Sequence, residues 1–300
     1  MRFVSVGNVL VDILTRLPEL PERGGDVLGS ASGMSPGGAF NAMAAASRQG
    51  LPAAYAGGHG TGYFGDLIRE GLRENGIDAL LAATGDIDSG YDIALVDDGG
   101  ERTFVTAFGA EAKLSASQLE SVTVEAGDIL HVSGYGLLDA TNGAVLAPWL
   151  EGVSEDVTVI VDPGPLIAEI RRDRWLQVFG RANWISCNER EAEFLVHDDE
   201  RESLDPGAAL GIVTRLGQRG CTVEQGDVVI EVPGFAVDAI DTNGAGDAHV
   251  GAFAAALAAS LPPTEAALRA NAAAAIAVSR FGPATAPTLD EVLALLGQRG

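Results

Sequence analysis

The run "DTNGAGDAHVGAFAAAL", Asp241–Leu257, places three small residues between two aspartates and follows them with an alanine-rich segment. Gly244, Ala245 and Gly246 put almost no side chain in the way, so the backbone N–H groups there can turn toward one point. A helix beginning near Asp247 adds unpaired N–H donors and the positive end of its dipole. Together these features make an anion site. A carboxylate beside such a site is repelled by the anion unless it acts on the anion's reaction partner. As a base, Asp247 would take the proton from a hydroxyl while that hydroxyl attacks a phosphoryl group held by the N–H groups, the division of roles that phosphoryl transfer requires. Read alone, the same residues also describe an aspartate helix cap beside glycine packing.

Three further segments share this character. "PGGAFNAMAAASRQG" (36–50) joins a Gly-Gly turn to Asn41 at a predicted helix start, where the amide can both donate and accept. "NERE" (188–191) sets Asn188 at a strand end with Glu191 three residues on, one helical turn away. An amide and a carboxylate there suit a hydrated Mg²⁺ near phosphates, or a helix cap with a surface acid. "TRLGQRG" (214–220) is a glycine-rich strand end, the place where open α/β sheets bind ligands.

Composition excludes several classes. The formal net charge is −23, which opposes nonspecific binding to nucleic acid or an anionic membrane. Lys113 is the only lysine, and "GAEAKLS" is neither a Walker A loop nor a kinase β-strand lysine. Cys187 and Cys221 stand in apolar settings and read as buried thiols, without a CxxC or a Cys/His cluster. His59, His131, His197 and His249 are scattered. The N-terminal "MRFVSVGNVLVDI" reads as a first buried strand, because Asn8 and Asp12 interrupt it as a leader. Ala248–Thr264 is too weakly apolar for a membrane span, so a cytoplasmic location is expected.

Short apolar runs at 3–7, 53–57, 128–134, 157–162, 183–187 and 210–214 alternate with helix patterns at 41–49, 65–74, 140–151 and 189–196. That rhythm predicts an α/β fold, a mostly parallel sheet with helices on both faces. Two pieces break it. Residues 91–108 alternate with period two around Asp98-Gly99-Gly100, a hairpin pattern, and residues 10–36 carry prolines, glycines and short extended pieces. We read them together as a small sheet. Residues 221–232 form a second hairpin with Gly226-Asp227 in its turn, and after residue 246 the pattern is helical, broken at "SLPPTE" and "RFGPATAPT".

Taken together, these segments resemble the ribokinase-like carbohydrate kinases, the phosphofructokinase-B family, in order and over nearly the whole chain. "GGAFNAMAAASRQG" is similar to the family's first signature, "DTNGAGDAHVGAFAAAL" to its second, and "NERE" to its Asn-x-x-Glu element. The resemblance implies one kinase domain over 1–300, with a β-sheet lid formed by about 10–36 and 88–108. It implies ATP and Mg²⁺, transfer of the γ-phosphate to a sugar or nucleoside hydroxyl, and lids that often pair into homodimers. It makes Asp247 the catalytic base and Gly244, Ala245 and Gly246 the anion hole. Asp12, Gly38 and Asn41 would hold sugar hydroxyls, and Asn188 and Glu191 would order Mg²⁺ (through water) and phosphate. Arg215, Gly217 and Gly220 would form the nucleotide-side strand end, Asn271 would flank the adenine, and Asp241 with the 282–285 loop would match the potassium site of some members. The chain departs from ribokinases proper at Arg215, where they have threonine, and in a shorter "GPATAP".

Competing readings remain at this stage. "GTGYFG" (60–65) satisfies GxGxxG, with Asp86 at the distance of a ribose-binding acid, so a nicotinamide dehydrogenase is the formal rival. A catalytically silent sugar- or nucleotide-binding protein is another. Among acceptors, a neutral sugar fits Asp12 and the Gly38/Asn41 loop. A nucleoside would use Tyr91, Phe104 or Phe108, a sugar acid would use Arg102 or Arg16, and a sugar phosphate would need more positive charge than the lid offers.

Overall fold

The computed structural model describes residues 1–99, 102–138, 140–196, 211–282 and 284–298. The first half of the chain forms β1 (Phe3–Ser5), β2 (Val9–Arg16), β3 (Ala31–Gly38), α1 (Ala39–Arg48), β4 (Ala53–Tyr55), α2 (Tyr63–Glu74), β5 (Asp78–Ala79), β6 (Tyr91–Val96), β7 (Arg102–Ala107), α3 (Ala116–Ser121), β8 (Ile129–Ser133), α4 (Tyr135–Leu138) and α5 (Ala140–Glu151). The second half forms β9 (Thr158–Asp162), α6 (Arg172–Arg181), β10 (Trp184–Asn188), α7 (Glu189–Val196), β11 (Gly211–Arg215), β12 (Gly220–Gln225), β13 (Val228–Pro233), α8 (Ala245–Ala258), α9 (Pro263–Val278) and α10 (Leu289–Gly297).

The strands sort into two sheets. The larger runs β13-β12-β11-β10-β9-β8-β1-β4-β5, and the smaller runs β3-β2-β6-β7. From β11 to β5 the larger sheet is parallel, and β12 and β13 close its edge as an antiparallel hairpin. Its strands read as continuous apolar runs because both faces are covered. Phe3, Ile160 and Val213 pack into one core with α1, α8 and α9, while Val4, Val159 and Val161 pack into the other with α5 and α6. Alanine builds the first core: Ala42, Ala44, Ala252, Ala254, Ala270 and Ala272 are fully buried. Such small side chains let helices approach closely while keeping high helix propensity.

The expected small sheet exists, and it joins the two irregular pieces through the parallel pair β2–β6. One sequence expectation needs correction. The N-terminal apolar run is not a single strand: it breaks at Gly7-Asn8, so that β1 enters the large sheet and β2 the small one. Helices α3 and α6 were not anticipated, being short and mostly polar. Other boundaries shift by one or two residues, the usual fraying at element ends. Gly100, His197, Leu210 and Pro283, named in the sequence reading, lie outside the described residues. Both cysteines are buried and unpaired, and burial pushes the thiols up, Cys187 to about 12 and Cys221 to about 11. Among the described residues, no helix is long and apolar enough to cross a membrane.

Candidate active site

Four adjacent parallel strands end on polar side chains: Ser133 on β8, Asp162 on β9, Asn188 on β10 and Arg215 on β11. The register sets Ser133 opposite Asp162 and Asn188 opposite Arg215, so they form one row along the carboxyl edge, where open α/β sheets place ligands. The N-terminus of α8 faces this row. Gly244 caps α8 at φ 71°, a left-handed conformation that favours glycine. The turn leaves the N–H groups of Gly246 and Asp247 without helical partners.

Two cavities meet at this edge, and Arg215 and Gly246 line both. The first, about 380 Å³, is mostly apolar, walled by Phe235, Val237, Ala274, Ala275 and Val278. The predicted residues Asn188, Gly217, Gly220, Ala245 and Asn271 all reach it. Asn271, however, spends its amide inside the protein. Its Nδ2 donates to the carbonyls of Val232 (3.1 Å) and Pro233 (3.3 Å), and its Oδ1 meets His249 Nε2 at 3.2 Å. Asn271 therefore shapes the wall by tying β13 to α8 and α9. Burial holds His249 neutral, with its pKa lowered to about 3.

The second cavity, about 610 Å³, is acidic. It gathers the predicted Asp12, Gly38, Asn41, Glu191 and Asp247, and adds Asn8, Asp92 and Asp162. Small-sheet residues Phe104, Thr106 and Phe108 cover it. Gly38, at φ 61°, caps α1, and a side chain there would meet the Asn8 carbonyl at 2.5 Å. Asn41 is buried, its amide lies near Gly244, and its Oδ1 has no protein partner. Asp247 is half-buried and borders the cavity. Burial and neighbouring Asp162 raise its pKa to about 7, against a lowering pull from Arg215 and an Asn41 hydrogen bond. Burial also raises Asp12 to about 8, helped by Asp92 and Asp247, and Asp92 to about 6.

Asn188 and Glu191 clasp each other. Glu191 accepts from the Asn188 backbone N–H (2.8 Å) and Nδ2 (2.7 Å), and Asn188 Oδ1 accepts from Glu191 N–H (2.9 Å). The helix-cap reading thus holds, but the acid is buried rather than on the surface. Asp241 lines neither cavity, although the next two residues, Thr242 and Asn243, each line one. Its carboxylate pairs with the Arg102 guanidinium and accepts from the N–H groups of Asn243 (2.8 Å) and Gly282 (3.2 Å). Both oxygens of that carboxylate are thus engaged by protein donors. The pairing also takes Arg102 away from any sugar acid, and Arg16 stacks on Phe281 at 4.3 Å. Tyr91 packs on Phe64 at 5.2 Å and does not line the cavity.

Sequence reading missed Asn8, Asp92 and Asp162. Asn8 is only 6% exposed, and neither its Nδ2 nor its Oδ1 has a protein partner. A lone amide inside an apolar run was the available signal. Asp162 carried a cue too, as the carboxylate ending "VTVIVD". Asp92 is set beside Asp12 by the β2–β6 register, which no local pattern reveals. The dehydrogenase motif is resolved by Asp88. Its carboxylate accepts from the N–H groups of Phe64 (3.0 Å) and Gly65 (2.8 Å), so the chain's own side chain fills that helix N-terminus.

Comparison with known proteins agrees with this fold. Residues 2–289 match the model of the pfkB family carbohydrate kinases. The uncharacterized sugar kinase YegV of Escherichia coli K12 is 32% identical over 300 residues, covering 96% of this chain and 92% of the relative. The ATP-dependent ribose-1-phosphate kinase of Halopiger xanaduensis is 29% identical, covering 100% of this chain and 99% of the relative. Among solved structures, ribokinase from Thermotoga maritima shares the fold with a TM-score of 0.83 at 24% identity, covering 99% of each chain. The chain belongs to the pfkB family of carbohydrate kinases, phosphotransferases with an alcohol group as acceptor.

Proposed function

We propose that the chain, acting as one catalytic unit under its small-sheet lid, transfers the γ-phosphate of ATP to a hydroxyl of a neutral sugar, with Asp247 as general base. The observation that carries this reading is Asp247 itself. It stands in the acidic cavity directly after the free N–H groups of α8, at the wall shared with the apolar cavity. A carboxyl with a pKa of about 7 is matched to accepting a proton near neutral pH.

The apolar cavity suits a purine, with Gly217 and Gly220 keeping the strand end clear. Its neighbour suits a polyhydroxyl acceptor. Asn8, Asp12, Asn41 and Asp92 offer donors and acceptors that the protein leaves unsatisfied or unpaired. Five carboxyl groups and one guanidinium line its wall, so an anionic acceptor such as the ribose-1-phosphate named for the Halopiger relative would find a single cationic partner there. A nucleoside is the second reading, favoured by Phe104 and Phe108, which can stack on a base. The oxygen donors of Asp162 and Glu191, with Asn188, fit a hydrated Mg²⁺, which when bound neutralises phosphate charge. Potassium has no part in this reading.

The test is ADP release from ATP and Mg²⁺ against a panel of pentoses, hexoses, ketoses, sugar acids, sugar phosphates and nucleosides. Turnover with a neutral sugar is expected. Turnover with an anionic acceptor alone would overturn the substrate class. ATP binding without turnover on any acceptor would favour a silent binding protein.

A further inference from the structure

Arg215 ends β11 with its side chain 15% exposed, and it is the one arginine or lysine lining either cavity among the described residues. Both histidines on these walls, His131 and His249, are held neutral by burial. Three protein groups take hydrogen bonds from the guanidinium. Nη1 donates to Ser186 Oγ (2.7 Å) and Asp162 Oδ2 (3.1 Å), and Nη2 reaches Glu191 Oε2 at 3.5 Å. A guanidinium carries five N–H donors, so among the described residues the Nε donor and one Nη2 donor have no protein acceptor.

The guanidinium is also fixed against the start of α8. A Cβ built on Gly246 would lie 3.4 Å from Cζ, 3.4 Å from Nη2 and 3.6 Å from Nε. Gly246 therefore lies over the face of the guanidinium, which sits beside the backbone whose own N–H groups are unpaired at the start of α8. Two adjacent parallel donors are the arrangement that grips a phosphoryl group. Taking a guanidinium out of water beside two carboxylates is costly, and an apolar residue would be the cheaper way to fill such a site. Fixing a cation where charge is redistributed gives that cost a purpose.

Resting on the kinase reading above, we propose that Arg215 is a catalytic residue that holds the phosphoryl group in transit, rather than an anchor for the bound nucleotide. In the step, the acceptor oxygen forms its bond to phosphorus and ADP leaves with the electrons of the broken P–O bond. The hydroxyl proton passes to Asp247. Arg215 stays protonated and donates through Nε and Nη2 to the oxygens of the migrating group.

The experiment compares wild type, Arg215→Met and Arg215→Lys, using the acceptor found in the panel. It measures kcat, the KM for ATP and the ADP dissociation constant by calorimetry. The Met variant should lose kcat by about 10²- to 10³-fold, the scale of removing one preorganised charge contact. Its ADP affinity should stay within about threefold of wild type. Millimolar guanidinium ion should restore part of its rate, saturably, and leave wild type unchanged. If the Met variant does not fold, Arg215→Lys carries the same comparison. It keeps the charge but lacks the two-donor edge, and a kcat loss of about tenfold or more is expected with ADP affinity kept. A kcat within about threefold of wild type in the folded variants would overturn the proposal, as would a rate loss matched by lost ADP affinity and not rescued by guanidinium. A wild-type chain that transfers phosphate to no acceptor would sink the kinase reading as well, a failure visible before any variant is made.

Discussion

The chain begins two helices with glycine-rich turns, "GTGYFG" at α2 and "DTNGAGD" at α8, and uses them in opposite ways. At α2 the N-terminal N–H groups are taken by Asp88, twenty-three residues after Gly65. At α8 no group among the described residues takes that place; the turn opens onto a cavity, with Asp247, Asn41 and Arg215 around it. One site is closed by the chain's own carboxylate, from the segment that leads into β6. The other borders both cavities through Gly246. Whether a glycine-rich helix start binds a ligand is thus decided by what packs over it, and that residue can come from far away in sequence.

The largest predicted change that sharpens this contrast is at the open turn's substrate side. Asn41→Ala should raise the KM for the sugar by about tenfold or more while leaving the KM for ATP within about twofold, because a buried polar partner is lost on the acceptor side only. Equal changes in both constants would break the assignment of the two cavities. Next comes pH. Asp247 must be ionised to accept a proton, and its pKa is raised to about 7, so the active form is depleted as pH falls through that value. The ratio kcat/KM should drop about tenfold per unit below pH 6 and level off above pH 8. A profile flat down to pH 5 would mean that another group is the base. The smallest effect belongs to the closed turn. Asp88→Ala removes a cap from α2 and should lower Tm by about 1–2 °C, the shift that about 1 kcal/mol for a lost cap gives in a chain of this size. An unchanged Tm would show that Asp88 contributes nothing to that helix.

The contrast also explains what could be read from sequence. Gly244–Asp247, Gly38–Asn41 and Asn188–Glu191 are local arrangements, each complete within four residues, and the structure brings them to the cavity walls or their immediate support. The alternation of apolar runs and helices announced the parallel sheet for the same reason. What stayed hidden depends on register and long-range pairing. Asp92 matters because β6 lies parallel to β2 at Asp12, and Asp88 because its loop folds back over α2. Arg102 read as free for a substrate, and only the fold shows it paired with Asp241, 139 residues away. The split of the N-terminal run into β1 and β2 was concealed because both strands are buried and apolar on either side of Asn8.

The most direct measurement sets Asp247→Asn beside Asp88→Asn, comparing kcat and ATP affinity with the same acceptor. The account predicts that Asp247→Asn binds ATP as wild type does and loses at least about 10²-fold in kcat, the scale of a missing general base, while Asp88→Asn stays within about twofold of wild type. Comparable losses in the two variants, or an Asp247→Asn enzyme that turns over at the wild-type rate, would contradict it.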